Sequence, residues 1–128
     1  WSSLVGSEMC IRDRVNSPHL NLLEESKLFE KLGSTYIARC KANLNYKTIE
    51  NEVGSFHTDF FYDSGDSMEG IITSILYINT NNGGTQFSDG TRVKSVANRL
   101  VKFDCSQEHA SVSCTDEDRR VLININYF

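Results

Sequence analysis

From residue 33 onward the chain is dominated by short stretches in which apolar and polar residues alternate. The run Gly70–Thr80 (GIITSILYINT) is the most strand-like, rich in the Ile and aromatic side chains that suit a pleated, half-buried surface. NNGG at 81–84 then marks a turn. Shorter strand signals follow at Thr85–Phe87, Thr91–Val96, Arg99–Phe103, His109–Cys114 and Arg120–Phe128. Upstream, TYIARCKANL alternates in part and gives way to a polar turn around Asn45–Lys47, and Glu52–Phe61 sets His57 and Asp59 among aromatics. Before Gly33 the texture differs. Leu22, Leu28, Phe29 and Leu32 lie between a capping Asn21 and Gly33, which predicts one short helix over 21–32. A short N-terminal helix followed by seven or eight short strands predicts a mainly β fold, a sandwich or jelly roll.

Alternation is sharpest in the final strand. Val121, Ile123, Ile125 and Tyr127 make one apolar face, while Arg120, Leu122, Asn124 and Asn126 make the other. A half-polar face ordinarily meets solvent. Here a polar interior competes with that reading, because the same face carries a cation next to the strand that holds His109.

Bulk properties narrow the function classes. A length of 128 residues allows one domain and one core. A net charge of -4 gives no general electrostatic pull toward nucleic acid or an anionic membrane. No apolar run approaches the roughly 18 residues needed to span a bilayer, and no signal segment is visible, so a cytoplasmic location is expected. The four cysteines, at 10, 40, 105 and 114, lack zinc-finger spacing. Reduced thiols are expected; Cys105 and Cys114 could pair, but nothing demands it.

Residues 1–14 read WSSLVGSEMCIRDR. From Leu4 to Arg14 this resembles the translation of a transposon-tagmentation sequencing adapter. A signal peptide is the poorer reading, since the apolar stretch is short and Glu8 interrupts it. Residues 1–14 are therefore expected to be non-native and 15–128 to form the domain, with authentic sequence continuing upstream of Val15.

The chemistry concentrates at His57-Thr58-Asp59. Period-two spacing sends the His57 and Asp59 side chains from one face of a strand or its end. Of the other two histidines, His109 sits in a late strand, where it completes a two-His, one-carboxylate facial triad; His19, near the start, reads as a surface residue. Such a triad leaves three neighbouring positions of an octahedral Fe(II) open. Arg120, eleven residues past His109, offers a guanidinium that can grip a carboxylate in a bidentate fashion. Arg119 is its rival, and alternation favours Arg120, which shares a face with Asn124 and Asn126.

Taken in order, HTD, SILYIN, NNGGTQF, NRLVKF, EHASV and RRVLININYF resemble the prolyl 4-hydroxylase-like branch of the Fe(II)/2-oxoglutarate-dependent oxygenases, from about Tyr36 to Phe128. The resemblance implies a double-stranded β-helix (a jelly roll, cupin-like). It implies Fe(II) held by His57, Asp59 and His109. It also implies 2-oxoglutarate held through its C5 carboxylate by Arg120, with the Tyr77 hydroxyl assisting and Asn124 lining the same pocket. O2 would be the oxidant, ascorbate the reductant that keeps the iron active, and succinate and CO2 the by-products of hydroxylating an unactivated C–H bond. Gly83 and Gly84 would serve the turn, and Phe87 and Phe103 the core. Three departures stand out. Asn98 opens a strand where the family often has Gly, the His109–Arg120 spacing is longer by a residue or two, and the helices that support the family's barrel are mostly missing.

A peptide, protein or amino-acid substrate, prolyl or other, is the expected partner. A nucleic-acid demethylase of the related repair branch is the alternative, though that branch typically adds an Arg where this chain has Asn126. A non-catalytic jelly-roll binding module is a third reading. Substrate choice would fall to Phe60–Glu69, whose acidic FYDSGDSMEG sequence suits a basic or peptide partner or simply a solvated loop, and to Cys105–Glu108. Oligomeric state is left open.

Overall fold

In the computed structural model, which describes residues 9–10, 14–15, 19–60, 62, 64–66 and 69–128, every strand pairing is antiparallel. The elements in order are β1 (Met9–Cys10), β2 (Arg14–Val15), α1 (Leu20–Glu25), α2 (Leu28–Leu32), β3 (Ile37–Tyr46), β4 (Ile72–Tyr77), β5 (Gly84–Phe87), β6 (Arg92–Lys94), β7 (Leu100–Asp104), β8 (His109–Val112) and β9 (Arg119–Tyr127). Among the described residues β1 and β2 pair with each other as a separate two-stranded ribbon. The larger sheet runs β3-β9-β4-β7 and the smaller β6-β5-β8. Isolated bridges Val53↔Val112 and His57↔His109 lay residues 53–57 alongside β8. Two facing antiparallel sheets of this kind make the mainly β jelly roll that the alternation predicts.

β9 has both faces covered. Ile123, Ile125 and Tyr127 pack outward against Leu20, Leu32 and Cys40, so the two helices roof the larger sheet. Each such side chain removed from water contributes about 1.5–3 kcal/mol. Arg120, Leu122 and Asn126 are also buried and face the smaller sheet, so the polar face does not meet solvent.

The predicted single helix over 21–32 is two helices. α1 ends where the Ser26 hydroxyl donates to the Leu23 carbonyl and Lys27 turns left-handed (φ 58°). His19, not Asn21, is the N-cap. The break brings both Leu20 and Leu32 onto the sheet, while Leu22 is left 63% exposed. The polar turn expected at Asn45–Lys47 also moves. β3 continues to Tyr46 because Asn45 and Tyr46 pair with Arg120 and Arg119 across the ladder, and pairing outweighs their turn preference.

Gly83 and Gly84 do more than turn the chain. A Cβ on Gly84 would stand 2.1 Å from the Val93 carbonyl oxygen, and one on Gly83 would stand 2.6 Å from that of Val112. Asn98 takes φ 67°, the left-handed region where Gly and Asn are the tolerated residues. Its departure from the family's Gly therefore preserves the backbone. Cys40, Cys105 and Cys114 are buried, and burial pushes the Cys40 thiol up to about 12. Among the described residues no helix is long and apolar enough to cross a membrane.

These close approaches predict an asymmetry. Gly84→Ala should cost about 1–3 kcal/mol by overpacking β5 against β6. Asn98→Gly should cost about 0.5 kcal/mol or less, because both residues accept the left-handed conformation. Urea unfolding midpoints would check both.

Candidate active site

His57 and His109 come from different segments, and a reciprocal pair of backbone hydrogen bonds locks them side by side. His57 N–H donates to the His109 carbonyl and His109 N–H to the His57 carbonyl, each at 3.0 Å. The imidazoles consequently lie with ring centroids 4.6 Å apart. The Nδ1 of His57 is 3.1 Å from the Ser55 carbonyl and that of His109 is 3.0 Å from the Gln107 carbonyl. A carbonyl only accepts, so each Nδ1 carries the proton and each Nε2 keeps its lone pair for a metal. Phe103 packs edge-on against His109, and Phe87 edge-on against Phe103, so the two phenylalanines are core that buttresses a ligand.

Asp59 points one carboxylate oxygen at each task. Its Oδ1 lies 3.8 Å from His57 Nε2 and 3.6 Å from His109 Nε2. Its Oδ2 accepts from the Thr73 hydroxyl at 2.8 Å and from Asn126 Nδ2 at 2.9 Å, while Asn126 Nδ2 also donates to Thr73 Oγ1 at 2.8 Å. One ligand atom from each of His57, Asp59 and His109 falls within 4.8 Å of the others. The donor set, two imidazoles and a carboxylate with no thiolate, suits Fe(II). His57 is half-exposed and marks the mouth, whereas His109 and Asp59 are interior.

A cavity of about 490 Å³ opens from the two histidines, lined on the β3 and β9 side by Lys41, Asn43, Asn45, Arg120, Leu122 and Asn124. Arg120 is 1% exposed. Its Nη1 donates to Ser111 Oγ (3.0 Å) and Asn45 Oδ1 (3.4 Å), and its Nη2 to the Gly84 carbonyl (2.7 Å), all neutral acceptors. Among the described residues no acid pairs with it, and its Nε has no protein partner. Burial pulls the guanidinium below its usual pKa, which measures the cost of a desolvated cation without a counter-charge. A ligand carboxylate would supply both the charge and an acceptor.

Of the residues singled out from sequence, the structure gathers His57, Asp59 and His109 into one cluster, whose two histidines line the cavity together with Arg120 and Asn124. Asn124 Oδ1 is buried and unpartnered among the described residues. Tyr77 sits one layer back. Its hydroxyl donates to Thr85 Oγ1 at 2.7 Å, its ring stands 5.9 Å from Arg120 Cζ, and Thr85 is the residue that lines the cavity. Burial raises the Tyr77 pKa. Arg119 is exposed on the opposite face, and His19 is exposed at the start of α1. Sequence reasoning missed Thr73, Thr85, Ser111 and the β3 residues. Thr85 lies within the GGTQF motif and could have been found there; β3 is distant in sequence and gave no signal. Phe61, Asp63, Ser67 and Met68 of the proposed substrate loop lie outside the described residues.

The hold on Asp59 generates a prediction. Asn126→Ala or Thr73→Val should weaken Fe(II) binding about 10–100-fold, with the far-ultraviolet spectrum unchanged. Metal affinity measured by competition with a chelator would check it, and unchanged affinity in both variants would contradict it.

Comparison with known proteins follows the geometry. The 2OG-Fe(II) oxygenase superfamily model matches residues 44–128, about two thirds of the chain. No curated protein matches. Among solved structures, EvdMO1 is similar with TM-score 0.65 at 14% identity, covering 94% of this chain and 35% of its own. An oxidoreductase of the 2OG-Fe(II) oxygenase family from Burkholderia pseudomallei gives 0.60 at 16%, covering 89% and 59%. A prolyl-4-hydroxylase from Pseudomonas putida gives 0.55 at 18%, covering 89% and 66%. These likenesses concern the fold, and the chain spans between about a third and two thirds of the length of these three proteins. On the family match, the chain belongs to the 2OG-Fe(II) oxygenase superfamily.

Proposed function

We propose that the chain is an Fe(II)- and 2-oxoglutarate-dependent dioxygenase that hydroxylates an unactivated C–H bond of an amino-acid residue or free amino acid, prolyl or other. One observation carries this reading. The two histidines of the three-residue metal set and a buried, uncompensated Arg120 open onto the same cavity. In this proposal His57, Asp59 and His109 hold the iron, Arg120 binds the C5 carboxylate, and Asn124 lines the cosubstrate pocket, with Tyr77 supporting it through Thr85. Bound iron supplies activation of O2, coupled to conversion of 2-oxoglutarate to succinate and CO2; ascorbate is the reductant that maintains it. The protein's own part is positional. Thr73 and Asn126 fix the orientation of Asp59, the two backbone-anchored imidazoles fix their tautomers, and Ile75 and Leu122 give the cavity apolar wall that limits water. The prolyl option draws on the name of the Pseudomonas relative and on motif order. The nucleic-acid alternative draws less support, since Asn126, where that branch carries an Arg, is committed to Asp59.

The reading predicts slow succinate formation from 2-oxoglutarate that needs Fe(II), stops on chelation, and falls to background in His57→Ala and Asp59→Ala. Mass-spectrometric quantitation of succinate would check it. Succinate formation that persists in both variants, or is absent from the folded wild-type protein given iron and ascorbate, would overturn it.

A further inference from the structure

The charges around the cavity do not balance with the cosubstrate alone. If iron and 2-oxoglutarate occupy the site as proposed above, Asp59 and one cosubstrate carboxylate match the two charges of Fe(II). The other cosubstrate carboxylate matches Arg120. The cavity lining contains one further permanent cation, Lys41, and no Asp or Glu among the described residues.

Register places Lys41 near the metal end of the cavity. Across the β3/β9 ladder Asn45 pairs with Arg120, Lys41 with Asn124, and Arg39 with Asn126. Directly paired residues project to the same side of a sheet, so Lys41 shares the inward face. Asn126 is the residue that holds Asp59, so the Lys41 rung is the next one along from the metal. It stands four residues, about 13 Å of strand, from the Arg120 rung. The Arg120 guanidinium is meanwhile tied at its own level by Asn45, Ser111 and Gly84. The two cations therefore serve different parts of the cavity. Lys41 is half-buried and has no ion-pair partner among the described residues, and Arg39 reinforces the positive potential of the same face one rung nearer the metal.

We propose that Lys41 forms a second anion subsite, and that the substrate carries a carboxylate close to the carbon that is hydroxylated. This rests on the function proposed above and names the substrate class for that site. It runs against the basic partner suggested by the loop sequence. Asp66 and Glu69, the acidic residues of that loop among those described, are exposed and do not line the cavity.

The test is calorimetric titration of the full chain loaded with Mn(II), a redox-quiet stand-in for Fe(II). Binding of 2-oxoglutarate is measured first. N-acetylglycine (a terminal carboxylate), the α-amide of N-acetylaspartate (a side-chain carboxylate) and N-acetylglycinamide (uncharged) are then added to the loaded complex. At least one carboxylate should bind saturably and the uncharged amide should not; which acid binds separates a terminal from a side-chain source. Lys41→Ala should weaken the acid about tenfold or more, as expected for loss of a charged hydrogen-bond partner. Lys41→Arg should retain it, and both variants should keep 2-oxoglutarate affinity within about twofold of wild type. If 2-oxoglutarate binds but neither acid does, or the amide binds as well as the acids, the subsite is refuted and the function stands. If Lys41→Ala weakens 2-oxoglutarate instead, Lys41 belongs to the cosubstrate and the inference is refuted. If 2-oxoglutarate itself does not bind the wild-type protein, the failure lies with the proposed function.

Discussion

Strand β9 is the constraint on which the rest depends. It is hydrogen-bonded on both edges, to β3 and β4, and buried on both faces. Its outward side chains anchor the helices, and its inward side chains hold both ends of the candidate site, Arg120 at the proposed anion end and Asn126, on Asp59, at the proposed metal end. Six residues of extended chain separate them, about 20 Å along the strand. Because side chains alternate with period two, a one-residue slip of β9 would send Arg120 and Asn126 outward together. The apolar packing on the outward side is what resists that slip, so core stability and site geometry are set by the same ladder.

The polar face of β9 is costly unless every group is met, and the two ends meet that demand differently. Asn126 gives its amide to Asp59 and Thr73, converting a buried polar side chain into a support for a metal ligand. Arg120 makes three hydrogen bonds, all to neutral oxygens, and leaves Nε unmatched among the described residues. A fully compensated cation would be a structural pair. An under-compensated one facing a cavity has its desolvation offset when an anion arrives, which is the basis of the role proposed for Arg120.

Much of this was legible in the sequence, for identifiable reasons. Alternation is a local property, so β4, β5 and β9 and the two faces of β9 followed from it directly. The clustering of His57, Asp59 and His109 was legible because histidine is scarce and HTD is compact. What failed to show depends on long-range pairing or on single backbone angles. The extension of β3 through Asn45 and Tyr46 comes from its partner strand, and the split between α1 and α2 comes from one left-handed residue, Lys27. Thr73 reads as an ordinary strand residue; only the fold brings it to Asp59. Tyr77 reads as a site residue by motif, yet Thr85 stands between its hydroxyl and the cavity. Lys41 has no motif at all, and its place on the inward face comes from register alone.

The central claim is that one cavity binds iron at His57, Asp59 and His109 and a 2-oxo acid through Arg120. Anaerobic titration of Fe(II) and then 2-oxoglutarate, followed by the weak visible metal-to-ligand charge-transfer band, tests it most directly. The account predicts a saturable band that is lost in His109→Ala. In Arg120→Ala it should need about 30-fold more 2-oxoglutarate or beyond, as expected when one member of a desolvated charge pair is removed, whereas Arg119→Ala should behave as wild type. A folded protein that binds Fe(II) yet develops no band, or one whose band responds to Arg119 and not to Arg120, would contradict it.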